Sequence, residues 1–350
     1  MSTSDIQRLL RKNICELQPY SSARHEFHGE ASIYLDANEN PHPYPYNRYP
    51  DPFQRQLKVC LSEKKRIAVD RIFLGNGSDE VIDLLIRAFC DPQKDSIVTL
   101  IPSYGMYEVA AQVNDVDCIK VPLADRFQLN PDALLRAVIP DRTKIAFLCS
   151  PNNPTGNLLD RTAVRTVLEN FSGIVVIDEA YIDFASAPSM VGFQDEYPHL
   201  VVMQTLSKAW GAAGIRLGIA FASPQIVNVL SRIKIPYNIS QLTQEYALRL
   251  LADTVTMERN LRSILEEREM LRTALSASPY NFNVYPSDAN YLLVDVGNAE
   301  EYYRRLIAQG IVVRNRSNIA LCEGCLRITV GTPEENKTLL HALHNPPVSK

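Results

Sequence analysis

Residues 143–181 read TKIAFLCSPNNPTGNLLDRTAVRTVLENFSGIVVIDEAY, and this stretch decides the fold. It opens on an apolar run, Ile145–Leu148, and returns to another, Ile174–Ile177. Short runs without polar alternation read as strands covered on both faces, the habit of parallel sheets. Between them lie a turn, Pro151-Asn152-Asn153-Pro154, built from turn-forming residues, and a helical pattern over Arg161–Glu169. The alternation continues outward. Strands are expected at Ile72–Leu74, Ser96–Thr99, Ile119–Val121, Thr143–Leu148, Leu200–Gln204 and Leu217–Phe221. Helices are expected at Asp79–Phe89, Tyr104–Val113, Pro131–Val138 and Gln225–Ile233. Strands alternating with helices predict an α/β domain over residues 51–245 with a mainly parallel sheet flanked by helices.

The flanks read differently. Ile6, Leu9, Leu10, Ile14 and Leu17 form one apolar stripe, so Ile6–Leu17 is expected as a short amphipathic helix. An arm with Pro41, Pro43, Pro45 and Pro50 follows, and those prolines forbid helix and central strand. Residues 1–50 are thus a helix and an extended arm suited to lying across another surface. Beyond residue 245 a long helix is expected at Val255–Ala277, then strands at Tyr291–Val296 and Leu326–Val330 and helices at Glu300–Gln309 and Pro333–Leu343. That order predicts a smaller α+β domain over 246–350.

Composition narrows the function. The 350 residues carry 36 basic and 40 acidic side chains, a net charge of -4, which gives no electrostatic footprint for nucleic acid or an anionic membrane. No apolar run approaches the roughly 18 residues that a membrane span needs, and Met1–Asn13 lacks the apolar core of a signal peptide. The expected location is the cytoplasm. Seven cysteines, an odd number, suggest no disulfide framework. Cys322 and Cys325 have C-x-x-C spacing, but the second pair or nearby histidines of a zinc site are missing.

Four stretches could carry chemistry. In Ser207-Lys208-Ala209-Trp210-Gly211-Ala212-Ala213-Gly214-Ile215-Arg216, a lysine sits among small residues after an apolar strand. It is either a surface loop lysine or a Schiff-base lysine whose amine is activated by burial; Arg216 could hold a phosphate. Asp178, ending the run Val175–Ile177, is either a helix cap or the carboxylate that keeps a pyridine nitrogen protonated, with Tyr181 beside it. Ser150–Gly156 is a turn whose asparagine amides could donate to a ring oxygen. Gly75-Asn76-Gly77-Ser78-Asp79-Glu80 is a strand-to-helix turn whose N–H groups could cradle a phosphate. It departs from the dinucleotide fingerprint at Glu80, so a dehydrogenase reading is the weaker one.

With these residues in order along the chain, the sequence resembles the fold-type I pyridoxal-phosphate aminotransferases. Within them it is similar to the histidinol-phosphate aminotransferases, through L-D-A-N-E-N-P at 35–41, N-R-Y-P at 47–50 and L-R-I-T-V-G-T at 326–332. The resemblance implies pyridoxal 5'-phosphate as cofactor and assigns roles. Lys208 would hold the cofactor covalently and shuttle a proton. Asp178 would pair with the pyridine nitrogen, Asn153 and Tyr181 with the ring hydroxyl, and Tyr104 would stack on the ring. Ser78, Asp79, Ser207 and Arg216 would bind the cofactor phosphate, joined by Tyr49 from the partner subunit of a homodimer. Arg327 and Arg314 would bind substrate, with Arg316 an alternative to Arg314, and Tyr20 and Asn38 would add N-terminal contacts. The implied substrates are histidinol phosphate, glutamate and 2-oxoglutarate. An aromatic amino-acid aminotransferase or a phospho-amino-acid decarboxylase on the same scaffold stays open.

Overall fold

The computed structural model describes residues 3–18 and 31–344. Seven strands form one sheet: β1 Ile72–Asn76, β2 Ser96–Ile101, β3 Asp117–Pro122, β4 Thr143–Cys149, β5 Ile174–Asp178, β6 Leu200–Thr205 and β7 Leu217–Phe221. Their order is β1-β7-β6-β5-β4-β2-β3. β3, β2, β4, β5 and β6 run parallel, and β7 is antiparallel to both β6 and β1. Two reversals restore direction, so the carboxyl ends of β1, β2, β4, β5 and β6 and the start of β7 share one sheet edge.

Both faces of this sheet are covered, as the apolar runs require. Along β5, Ile174 and Val176 join the core on one side, with Val81, Leu85 and Phe89 of the helix Ser78–Phe89. Val175 and Ile177 join the core on the other, with Val164, Val167 and Leu168 of the helix Arg161–Asn170. Successive side chains of a strand point to opposite faces, so every position before Asp178 is apolar.

A second sheet of β8 Asn283–Val284, β9 Tyr291–Asp295, β10 Arg314–Asn315 and β11 Cys325–Thr329 is antiparallel in the order β10-β11-β9-β8. Its core includes Leu292, Val294, Leu326 and Ile328, packed with Leu271 and Leu275, Leu306, and Leu339 and Leu343 from the helices Thr254–Ser276, Ala299–Ala308 and Pro333–His344. This sheet is tied to the loop after β4: Asp288 N–H donates to the Gly156 carbonyl at 2.7 Å, and the Tyr291 hydroxyl to the Asn152 carbonyl at 2.6 Å.

The amphipathic stripe at the N-terminus does not form the single expected helix. It breaks into Thr3–Leu9 and Lys12–Cys15, with Arg11 at φ -60, ψ 140. The cause is tertiary. Arg11 N–H donates to the Ala88 carbonyl at 3.0 Å, and its guanidinium reaches the Arg87 carbonyl and Asp91, closing the end of the helix Ser78–Phe89. Those last carbonyls have no partner inside their own helix.

Candidate active site

The shared edge of the large sheet encloses a cavity of about 360 Å³. Ser78, Asp79, Tyr104, Asn153, Asp178, Tyr181, Ser207, Lys208, Arg216, Arg314, Arg316 and Arg327 all line it. They come from the loops after β1, β2, β4, β5 and β6, from the start of β7, and from β10 and β11. Open α/β sheets bind ligands at this kind of edge. The sequence-predicted residues outside the cavity are few. Asn38 is exposed on the arm, at φ 53. Tyr49 stacks on Tyr237, ring centroids 4.6 Å apart, and is 51% exposed. Tyr20 lies outside the described residues.

One end of the cavity suits a phosphate. The helix Ser78–Phe89 starts behind Gly77 without a side-chain cap, so its first N–H groups face the opening. Gly77 has φ +79, and a Cβ there would stand 2.6 Å from Arg216 Nη2. Glycine thus serves twice, for its dihedral and for the space the guanidinium fills. Arg216 itself is left-handed at φ 54 and lies 3.5 Å from Asp79. The Tyr104 hydroxyl donates to the other Asp79 oxygen at 3.0 Å.

The floor is acidic and buried. Asp178 is 3% exposed, and burial pushes its carboxyl pKa upward, partly opposed by its hydrogen bonds. Ala180 N–H donates to Oδ1 at 3.1 Å, and the Tyr107 hydroxyl to Oδ2 at 2.7 Å. A carboxylate offers about four acceptor sites, so this one retains capacity toward the cavity. Lys208 stands 5.4 Å from the Tyr181 ring centroid, and burial followed by the charge of Arg327 holds its amine below the usual lysine range. That raises the neutral, nucleophilic fraction.

The far wall is cationic. Arg314 and Arg327 are direct cross-strand partners on β10 and β11, and like charges so placed repel. Arg316 is half-buried; burial, then Arg327 and Arg314, press its pKa down from 12.5 to about 10. The Nε atoms of Arg316 and Arg327 are buried without hydrogen-bond partners. Arg327 Nη1 donates to Asn153 Oδ1 at 2.6 Å. Three guanidiniums facing a cavity without a carboxylate among them call for an anionic ligand.

Comparison with known proteins agrees with this geometry. The family described as aminotransferase class I and II matches residues 25–343. A histidinol-phosphate aminotransferase of Parabacteroides distasonis is 59% identical over 341 residues, 97% of this chain and 99% of that one. The chain belongs to the histidinol-phosphate aminotransferases, within the class I and II aminotransferases. The crystal structure of the Clostridium acetobutylicum member of this family superposes with a TM-score of 0.78 at 26% identity, over 85% of this chain and 90% of that one. The Sinorhizobium meliloti enzyme, solved in complex with pyridoxal-5'-phosphate, gives 0.79 at 24% identity, over 85% and 82%, and shows the same fold. The fold is therefore the fold-type I transferase architecture expected from the sequence. Two buried residues behind the cavity lining escaped the sequence reading. Tyr107 is signalled only by its spacing of three from Tyr104. Asn152 stands beside Asn153, yet it is fully buried and spends its amide on the Pro102 carbonyl and Thr155.

Proposed function

We propose that the chain transfers the amino group of L-histidinol phosphate to 2-oxoglutarate, giving imidazole-acetol phosphate and L-glutamate, in histidine biosynthesis. The cationic wall of Arg314, Arg316 and Arg327 is the observation that carries this reading. The donor must be an anion at the end remote from its amine, and a phosphate monoester meets three guanidiniums better than a neutral aromatic ring does.

The residues fit pyridoxal 5'-phosphate. Ser78, the helix start behind Gly77, Ser207, Asp79 and Arg216 would hold the phosphate end, and Lys208 is the amine that would hold the group covalently between turnovers. Asp178 would accept from the ring nitrogen, Asn153 and Tyr181 would address the ring hydroxyl, and Tyr104 would cover a ring face. When bound, the cofactor supplies an electron sink for the electrons released as the substrate Cα loses its proton. The protein would move that proton: Lys208 Nζ, whose pKa burial and Arg327 lower, would take it from the substrate Cα and deliver it to the cofactor C4′. The arginine wall orients the substrate so that its Cα–H faces that nitrogen, which is a positioning effect.

In this reading residues 1–50 are an N-terminal helical segment and an extended arm, 51–245 a cofactor-binding domain and 246–350 a smaller domain carrying the substrate arginines. The active form is a cytoplasmic homodimer, and Tyr49 reaches the cofactor phosphate of the partner. Exposed apolar residues on the arm, Ile33, Leu35, Tyr44 and Tyr46, support an assembly that covers them. Among the described residues no helix is long and apolar enough to cross a membrane.

A substrate panel tests the reading. With 2-oxoglutarate as acceptor, histidinol phosphate should give the highest kcat/KM, above phenylalanine, and threonine phosphate should not be decarboxylated. A higher value for phenylalanine, or carbon dioxide release from threonine phosphate, would overturn it.

A further inference from the structure

We propose that Tyr107 is a positioning residue for the reaction: its hydroxyl holds Asp178 in the ionised, oriented form that keeps the cofactor ring nitrogen protonated. This rests on the cofactor reading of the cavity.

The geometry is specific. Tyr107 is fully buried and lies at the start of the helix Met106–Val113. Its ring is stacked on Phe147 of β4, centroids 4.8 Å apart at 12°, and meets Tyr104 edge-on at 5.6 Å. Packing on two sides leaves the ring one orientation, and its hydroxyl then falls 2.7 Å from Asp178 Oδ2. Tyr107 does not line the cavity, so it cannot touch a bound ligand itself.

The need for such a donor follows from burial. A carboxylate taken out of water favours its neutral form, and a neutral Asp178 would meet the ring nitrogen with a proton of its own. Around Asp178, Lys208 favours the ionised form and Asp79 opposes it, while Cys149 and Tyr181 are nearby titratable groups. The Tyr107 hydroxyl and Ala180 N–H are therefore the donors that offset desolvation. Tyr107 is the one that a substitution can remove without altering the backbone. A hydrogen bond to a charged group in a buried site is among the stronger ones.

Tyr107→Phe keeps the ring and its packing and deletes only the hydroxyl. Two apoenzyme affinities separate positioning from packing: one for pyridoxal phosphate, the other for an analogue carrying C–H in place of the ring nitrogen. Affinity for pyridoxal phosphate should fall on the order of tenfold, and affinity for the analogue should stay within twofold. The loaded variant should lose kcat by a similar factor with KM for glutamate within twofold. In an Asp178→Asn background, Tyr107→Phe should change neither affinity, because the group it acts through is gone. Equal losses for both ligands, or the same loss in the Asp178→Asn background, would overturn the proposal and leave Tyr107 a packing residue. A parent protein that fails to bind pyridoxal phosphate would instead sink the cofactor reading beneath it.

Discussion

Arg316→Gln should make the protein more stable and the enzyme worse at binding its phosphorylated substrate. Burial and two neighbouring guanidiniums press the Arg316 pKa down from 12.5 to about 10. At pH 7 the side chain is charged in both the folded and unfolded states, so the whole cost of that shift falls on the folded protein at neutral pH. One pKa unit corresponds to about 1.4 kcal/mol; solvent screening of a half-buried group cuts the sum to about 1 kcal/mol. Removing the charge should recover that, a rise of about 1–2 °C in melting temperature for a chain of this size. The same substitution removes charge-assisted hydrogen bonds worth about 1.5–3 kcal/mol to a bound anion, a KM increase of roughly 10- to 150-fold. The increase should be larger for histidinol phosphate than for glutamate, because a phosphate monoester carries about -1.5 to -2 at pH 7 and a carboxylate carries one charge. Arg314 is exposed where Arg316 is half-buried, so Arg314→Gln should act in the same direction by less. The assays are differential scanning of the apoprotein and half-reaction kinetics with each amino donor. A lower melting temperature, together with equal KM effects on both donors, would refute the reasoning and make Arg316 a structural residue.

Lys208→Ala should abolish the visible absorbance of bound pyridoxal phosphate and nearly all turnover; retention of both would mean the wrong lysine has been chosen. In the apoenzyme, Lys208 should react with an amine-directed reagent at pH 8–9 ahead of exposed lysines, since its lowered pKa leaves more of it neutral at that pH; peptide mapping reads the order. Asp178→Asn should preserve the fold but cost at least about 1.5–3 kcal/mol in the barrier, from the lost charge-assisted bond to the ring nitrogen, and a kcat within twofold of the parent would exclude it. For Tyr49, mixed dimers of a Lys208→Ala chain and a Tyr49→Phe chain should recover tight cofactor binding in the site that keeps Lys208; affinity as weak as in the Tyr49→Phe homodimer would place Tyr49 in its own subunit's site.

What the sequence made legible follows burial. β4, β5 and β6 are covered on both faces, so their apolar runs are continuous and their positions can be read directly. The helix Arg55–Lys65 buries only Leu57 and Leu61, and Gln241–Ala252 only Gln244, Ala247 and Leu251, and neither stripe stands out from its charged surroundings. β8 and β10 have two residues each, too few to display a period. The split of the N-terminal helix at Arg11 depends on carbonyls more than 70 residues away. The motif residues of the cavity were legible because each occupies a strand end or a turn with its own local signature. Tyr107 and the coupling of Arg327 to Asn153 were not, because both depend on elements distant in sequence being brought together.

In the proposed reaction one cavity would hold two phosphates, and the charge layout would keep them apart. Arg216 stands at the helix start with Asp79 beside it, so its charge is partly balanced before any ligand arrives. Arg314, Arg316 and Arg327 stand across the cavity, and none forms an ion pair with a carboxylate among the described residues. The balanced end can hold a resident group whose hydrogen bonds are supplied by backbone N–H. The unbalanced end gains most from each arriving anion and regains its repulsion each time one leaves. That asymmetry suits a ping-pong reaction, in which one phosphate must stay while phosphorylated and dicarboxylate substrates alternate. It also makes a prediction about inorganic phosphate. It should compete with histidinol phosphate at concentrations that leave the cofactor in place, and Arg316→Gln should weaken that inhibition as it weakens substrate binding. Inhibition that instead tracks loss of the cofactor's visible band would mean the free anion prefers the Arg216 end, and that the two poles are not sorted as their charge balance requires.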